Sequence, residues 1–378
     1  MSNSSNNAPL QSENVAVAGI IAGVGMFGLI SNGAAIAAVI FNPVLKNSFG
    51  LLCLSHSIAN FGVLLVFTFW VAPMTVVQNE HNDTLLGKLF GQVNIMFWNV
   101  CVYSHLAISL NRLIAIALPY QATFLLTLKK TFIVVGIAWF LGFCHIIAYF
   151  WTDTCYVFYE SSVWAWKFAD TYCGYIISIY FDCYVSLTVL VAILVLDCST
   201  FIKLRLTNKS TQQNSTTTTN EATQRKRRQT EVRFFWQTVC QNITFFYEQS
   251  NFYYIATLST NLWYVFFTST FAWEICHALD GFIVVLFHFR LSLMRRGEET
   301  VTHMIADTSG QHSVANRRSR QSTLFVQRTS GINAACVRNA QTGMDASEFD
   351  LLRDIETQTT WNDVGLMTDF WTDMGNSP

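Results

Sequence analysis

The side chains in this chain able to do chemistry are few, and they stand singly in apolar surroundings. Asn32, His56, Asn60, Asn94, Asn111, Arg112, Asp182, Glu248, Glu274 and Asp280 each interrupt a long hydrophobic run. A polar group inside a bilayer costs about 2.5–3.5 kcal/mol on insertion scales, so each needs a partner and a reason. The chemistry open to them is ion pairing, hydrogen bonding and capture of a polar ligand. Hydrolysis would require paired acids, clustered histidines or a nucleophile beside its base. His56, His105, His145, His277 and His288 are scattered over several segments, and packing or hydrogen bonding is the reading their spacing supports. No metal-ligand spacing, phosphate loop or triad is visible, so the chain reads as no enzyme, with no cofactor and no metal.

The elements that must hold these residues follow from composition. Of 378 residues 52% are hydrophobic and 12% charged, against about 25% charged in an ordinary soluble protein. Residues 15–203 hold only 14 charged side chains. A soluble core of that size would need charged faces to stay dissolved. A soluble enzyme is therefore excluded, and a net charge of −1 gives no case for nucleic-acid binding.

A bilayer core about 30 Å thick needs about 20 mostly apolar residues per helix. Seven segments qualify: Val15–Phe41, Phe49–Val77, Leu89–Ile116, Thr131–Trp151, Cys173–Ile202, Phe234–Leu258 and Leu262–Phe289. The sixth is the most polar, with Gln237, Gln241, Asn242, Glu248, Gln249 and Asn251 inside it. Its aromatic content still favours a span. The fold class is all-α, a seven-transmembrane helix bundle. Residues 1–14 form a short N-terminus without a cleavable signal, 15–295 the bundle, 204–233 a flexible basic loop, and 296–378 a disordered tail with an acidic end. No internal repeat is present, which removes the main support for a transporter.

Orientation follows from Lys and Arg in the loops. One side carries Lys88 and Lys167; the other carries 15 basic residues up to Arg296. The N-terminus is thus expected outside and the C-terminus in the cytoplasm, as in a multipass protein of the plasma membrane. Asn3 and Asn82 begin glycosylation sequons on the outer side. Cys155 and Cys173 flank the outer loop after the fourth span, where an oxidising exterior would let them pair. On the inner side, Arg227-Arg228-Gln229-Thr230 offers Thr230 as a phosphorylation site.

The ordered set of motifs resembles the rhodopsin-like seven-helix receptors, and in finer detail the nematode serpentine chemoreceptors of class X. The matching stretches are NSFGLLCLSHSIANFGVLLVFTFWVAPM from Asn47, SLNRLIAIALP from Ser109, the Cys155/Cys173 loop and HALDGFIVVLF from His277. The resemblance covers residues 15–295. It implies a chemosensory receptor that binds an extracellular ligand and activates a heterotrimeric G protein. Arg112 takes the position of the helix-three arginine, but Asn111 replaces the acid that restrains it. That predicts either raised basal activity or another latch, with Glu231 as the candidate. Asn60 stands where the larger family has Asp, and Asp280-Gly281 where it has Asn-Pro, so acid and amide have exchanged helices. With Asn32 they form the expected central polar network. Loss of the proline predicts a seventh helix without its usual kink. Asn94, Trp98, Asp182, Glu248 and Glu274 are the ligand-binding candidates, for a small molecule or a neuropeptide.

Overall fold

The computed structural model describes residues 9–78, 84–213 and 219–287. Among them, seven long helices follow one another. They are α1 Gln11–Phe41, α2 Ser48–Val77, α3 Leu85–Ala117, α4 Leu128–His145, α5 Tyr172–Leu206 (its last turns reaching Gln213), α6 Thr219–Ser250 and α7 Leu262–Phe287. The chain therefore folds as the seven-helix bundle its hydropathy predicts. A two-stranded hairpin joins α4 to α5, with β1 Val157–Glu160 antiparallel to β2 Ala165–Phe168.

Local sequence explains most of the helix starts. Asn47, Thr84, Thr127, Thr171 and Asn261 each accept a hydrogen bond from a backbone N–H in the first turn of α2, α3, α4, α5 and α7. Caps of this kind are worth about 1 kcal/mol each. Helix α2 ends at Val77, where Gln78 turns left-handed at φ 44°. Wider π-type turns occupy Phe67–Val71 of α2, Ile177–Tyr184 of α5 and Asn251–Ile255 after α6. The first sits just before Pro73, which has no N–H to give the helix.

Helix α3 is the central post, packed against α2, α4, α5 and α6, while α1 lies along α2. The outward faces are apolar, as lipid requires: Phe27 and Ile30 on α1, Ile133 and Phe140 on α4, Val191 and Val195 on α5, Phe282 on α7. Six helices are long and apolar enough to cross a membrane; α6 is not among them. It is inverted. Gln237, Gln241, Asn242, Glu248 and Gln249 are buried, whereas Trp236, Ile243, Phe246 and Tyr247 face outward.

Three expectations need correction. The flexible loop over 204–233 is largely helix, because α5 runs to Gln213 and α6 begins at Thr219. Lys, Arg, Glu and Gln are good helix formers and carry both helices past the apolar segment. Helix α4 stops at His145, followed by a 3₁₀ turn at Ile147–Phe150 rather than helix to Trp151. Helix α7 keeps its expected form at Asp280-Gly281, where it runs unbroken from Thr270 to Phe287, and its one interruption lies earlier. It breaks at Ser269 (φ −118°, ψ −84°), where the Ser269 hydroxyl donates to the Val265 carbonyl at 2.5 Å. Finally, a β-hairpin stands where only a loop was foreseen. The sequons at Asn3 and Asn82 and the tail over 296–378 lie outside the described residues.

Candidate functional site

Three constellations lie along the bundle: an arginine latch at one end, an acid hub in the middle, and an aromatic cleft beneath the hairpin.

The latch begins with Arg112 near the end of α3. Its Nη1 donates to Glu231 Oε2 at 2.6 Å, and its Nη2 donates to Asn111 Oδ1. The guanidinium also lies 4.0 Å from the centre of the Phe49 ring and 5.4 Å from that of Phe234. Those two rings stack at 4.5 Å. Asn111 in turn donates to Ser48 Oγ at 2.6 Å, and Ser48 meets Thr131 Oγ1 at 2.7 Å. The arginine thus ties α2, α3 and α6 together without an acid from its own helix. Thr230 precedes Glu231 on α6.

The hub is Asp280 on α7, which is buried. Its Oδ2 lies 3.0 Å from His56 Nε2, 3.5 Å from His105 Nε2 and 3.4 Å from the Asn60 Nδ2 that donates to it. Thr244 of α6 donates to Oδ1 at 3.2 Å. A carboxylate with donors from α2 and α6, and the His105 ring of α3 alongside, meets the rule that a buried charge must be paired and hydrogen-bonded. The network continues on both sides. His277 donates from Nδ1 to Asn60 Oδ1 at 2.6 Å and accepts at Nε2 from the Trp273 indole at 3.0 Å, which fixes its neutral tautomer. His105 donates to Asn242 Oδ1 at 3.0 Å, and Asn242 donates to Asp197 Oδ2 at 2.6 Å and to Ser109 Oγ at 3.0 Å.

Asn32 closes the α1 side, donating to the His277 and Gly28 carbonyls at 3.0 Å. Glycine at 281 is required for that approach: a Cβ there would lie 2.5 Å from Asn32 Cγ. So Asn60 and Asp280 bond to each other, whereas Asn32 meets the network only at the His277 backbone. The histidines, expected to be scattered, do not stay apart. His56, His105 and His277 converge on the same carboxylate and its neighbour. Sequence spacing missed this because the three come from α2, α3 and α7, and only the packing of those helices joins them. The ligating atoms of His56, His105 and Asp280 lie within 4.8 Å of one another, a donor set that fits a borderline metal ion.

A narrow cleft lies between α3, α5, α6, α7 and the hairpin. Trp98, Asp182 and Glu248 line it together with Val157, Trp166, Phe168, Phe252, Tyr253 and Trp273. The Trp98 indole donates to Glu248 Oε1 at 2.8 Å, and the Tyr253 hydroxyl donates to Asp182 Oδ2 at 2.6 Å. Asp182 and Tyr253 both sit on π-type turns, which re-aim side chains that a regular helix would point elsewhere. Two of the five predicted ligand residues do not line this cleft. Asn94 is buried with neither side-chain atom bonded among the described residues, and Glu274 is buried with both oxygens likewise unpartnered. Glu274 instead faces α1, where a Cβ on Gly25 would stand 3.0 Å from its Oε1.

The hairpin forms the roof. Cys155 and Cys173 are joined by a disulfide. The buried Trp164 donates to Asn14 Oδ1 at 2.8 Å, and its carbonyl accepts from Thr270 at 2.6 Å. Trp164 takes φ 53°, a conformation costly for a bulky residue and held here by those bonds and by Trp263 and Phe266. The roof residues Trp166 and Phe168 were not among the predicted ligand contacts. The dense aromatic run Trp164-Ala165-Trp166-Lys167-Phe168, inside a loop, was the available signal.

Comparison with known proteins agrees with this architecture. The family described as serpentine type 7TM GPCR chemoreceptor Srx matches residues 23–288. Serpentine receptor class X 45 of Caenorhabditis elegans is 27% identical over 267 residues, covering 65% of this chain and 71% of that relative.

Proposed function

This chain belongs to the Srx family of serpentine seven-helix chemoreceptors, and on that premise we propose that it is a plasma-membrane receptor that couples an extracellular ligand to a heterotrimeric G protein. The observation that carries the proposal is the pairing of two sites along one bundle. A roofed cleft with two acids lies near one end, and a restrained arginine lies near the other. Ligand in the cleft would favour a packing in which α6 leaves Arg112, exposing an inner surface to the G protein. The excess of basic residues in the loops at the Arg112 end supports a cytoplasmic position for that end. The N-terminus and hairpin then face outward, which supports glycosylation at Asn3 and Asn82. Phosphate on Thr230, beside Glu231, would add charge next to the latch and offers a means of regulation.

The test is nucleotide exchange on a purified heterotrimeric G protein by the receptor reconstituted in lipid. Exchange above the protein-free rate is expected, and Arg112→Ala is expected to abolish it. Unchanged exchange by a well-expressed Arg112→Ala receptor refutes the coupling role. Glycosidase sensitivity at Asn3 and Asn82 checks the orientation; modification at Asn208, which begins the sequon Asn208-Lys209-Ser210 on the expected inner side, would invert it.

A further inference from the structure

The roofed cleft has a charge imbalance that names its ligand. Asp182 and Glu248 are both more than nine-tenths buried, and each has one carboxylate oxygen satisfied within the protein. Asp182 Oδ1 and Glu248 Oε2 have no nitrogen or oxygen partner among the described residues, and the weak donor beside Glu248 is the Cys276 thiol. Among the described residues, no lysine, arginine or histidine lines the cleft. A buried carboxylate without a cation is costly, and here two of them face one space. The remaining walls are aromatic. The Trp98 and Trp273 rings stand edge to face at 6.2 Å, and Trp166 and Phe252 each lie 5.8 Å from Trp273. Aromatic faces attract cations through their quadrupoles, most strongly where water is excluded. The Trp166 indole N–H is also unpartnered, a donor left for a neutral acceptor on the same ligand.

We propose that the cleft binds a small cationic amine bearing a hydrogen-bond acceptor, its ammonium held by Asp182 and Glu248 and its alkyl surface against Trp98, Trp166, Phe252 and Trp273. This gives the receptor reading its ligand class and rests on that reading for its signalling role. Anions are rejected by the two acids. Neutral molecules of the same shape gain no ion pair from the two acids, which burial favours in the protonated form when no cation is present. The charge therefore sets specificity, and the aromatic walls set shape.

Choline, 2-aminoethanol and dimethylbutanol (the neutral carbon isostere of choline) separate charge from shape. Binding is followed by tryptophan fluorescence of the full-length receptor in lipid nanodiscs. At least one of the two amines should give a saturable change, with the isostere weaker by about tenfold or more. Asp182→Asn and Glu248→Gln should each weaken the amine by roughly tenfold to a hundredfold, the range expected for a lost hydrogen bond to a charged group. Glu248→Asp, which keeps the charge, should retain the preference for amine over isostere. Thermal melting of each variant shows that it is folded. Equal binding of isostere and amine overturns the proposal, as does amine affinity unchanged in both neutralised variants. Absence of a saturable response to both amines in the wild type overturns it too. Amine binding that leaves nucleotide exchange unchanged keeps the site and refutes the receptor reading. Arg112-dependent exchange without amine binding does the reverse.

Discussion

Neutralising Glu231 tests the latch most directly. In Glu231→Gln the shape of the side chain is kept and the charge is lost. Arg112 Nη1 then meets an amide rather than a carboxylate across the 2.6 Å contact. A hydrogen bond to a charged group contributes about 1.5–3 kcal/mol when buried. Arg112 is 4% exposed here but Glu231 is 26% exposed, so solvent screening places the effect near the lower end, about 1.5 kcal/mol. That is close to a tenfold shift in the ratio of released to latched receptor. Asn111 and the Phe49 and Phe234 rings still hold the guanidinium, so release is partial and the shift should not greatly exceed that factor. If the released state is a small minority at rest, basal exchange on the G protein rises by about the same tenfold. The assay is ligand-free nucleotide exchange at matched receptor amounts, with Glu231→Asp as the charge-keeping control. A basal rate in Glu231→Gln equal to or below wild type would refute the latch.

Three further outcomes follow from the packing. Asp280→Asn removes the charge that His56, His105, Asn60 and Thr244 surround, and loss of one partner from a buried charged set costs about 3–5 kcal/mol. A clear fall in melting temperature of the detergent-solubilised receptor is expected. Gly281→Ala drives a methyl to 2.5 Å from Asn32 Cγ, which should force α1 and α7 apart and destabilise by about 1–3 kcal/mol, read in the same melt. Cys155→Ser opens a loop of 18 residues and should lower stability by about 3 kcal/mol. Reductant should bring the wild type down to the variant's melting temperature and leave the variant unchanged.

The bundle was legible in the sequence because lipid imposes a length and a polarity that a chain must display openly. The pairing of Asn60 with Asp280 was legible for a related reason: a polar residue in an apolar run has few alternatives to facing another. What was not legible depends on distance in three dimensions. His56 and His105 are 49 positions apart and belong to different helices, yet their rings lie 4.5 Å apart. The π-type turns that aim Asp182 and Tyr253 leave no mark in composition, and neither does the left-handed turn at Trp164 that folds the hairpin over the cleft. The assignment of Asn94 and Glu274 to the ligand site rested on depth along the helix alone. Depth does not fix which face a residue takes.

Helix α6 shows how the same polarity that obscures a span can equip it. Its interior face contributes Glu231 to the arginine, Asn242 and Thr244 to the hub, and Glu248 to the cleft. Its lipid face is apolar at Ile243 and Phe246, so the helix is stable in the membrane only while its polar face is answered by α3, α5 and α7. Those answers are hydrogen bonds at discrete positions. Such a face slides less readily than a greasy one, and it has a limited set of packings in which every polar group is satisfied. A cation drawn to the free oxygen of Glu248 adds an anchor at one end of α6 and alters which of those packings is lowest. The shift is limited to the ligand's difference in affinity between packings. One helix carrying anchors in all three constellations is the shortest physical route by which the proposed cleft ligand could act on the arginine.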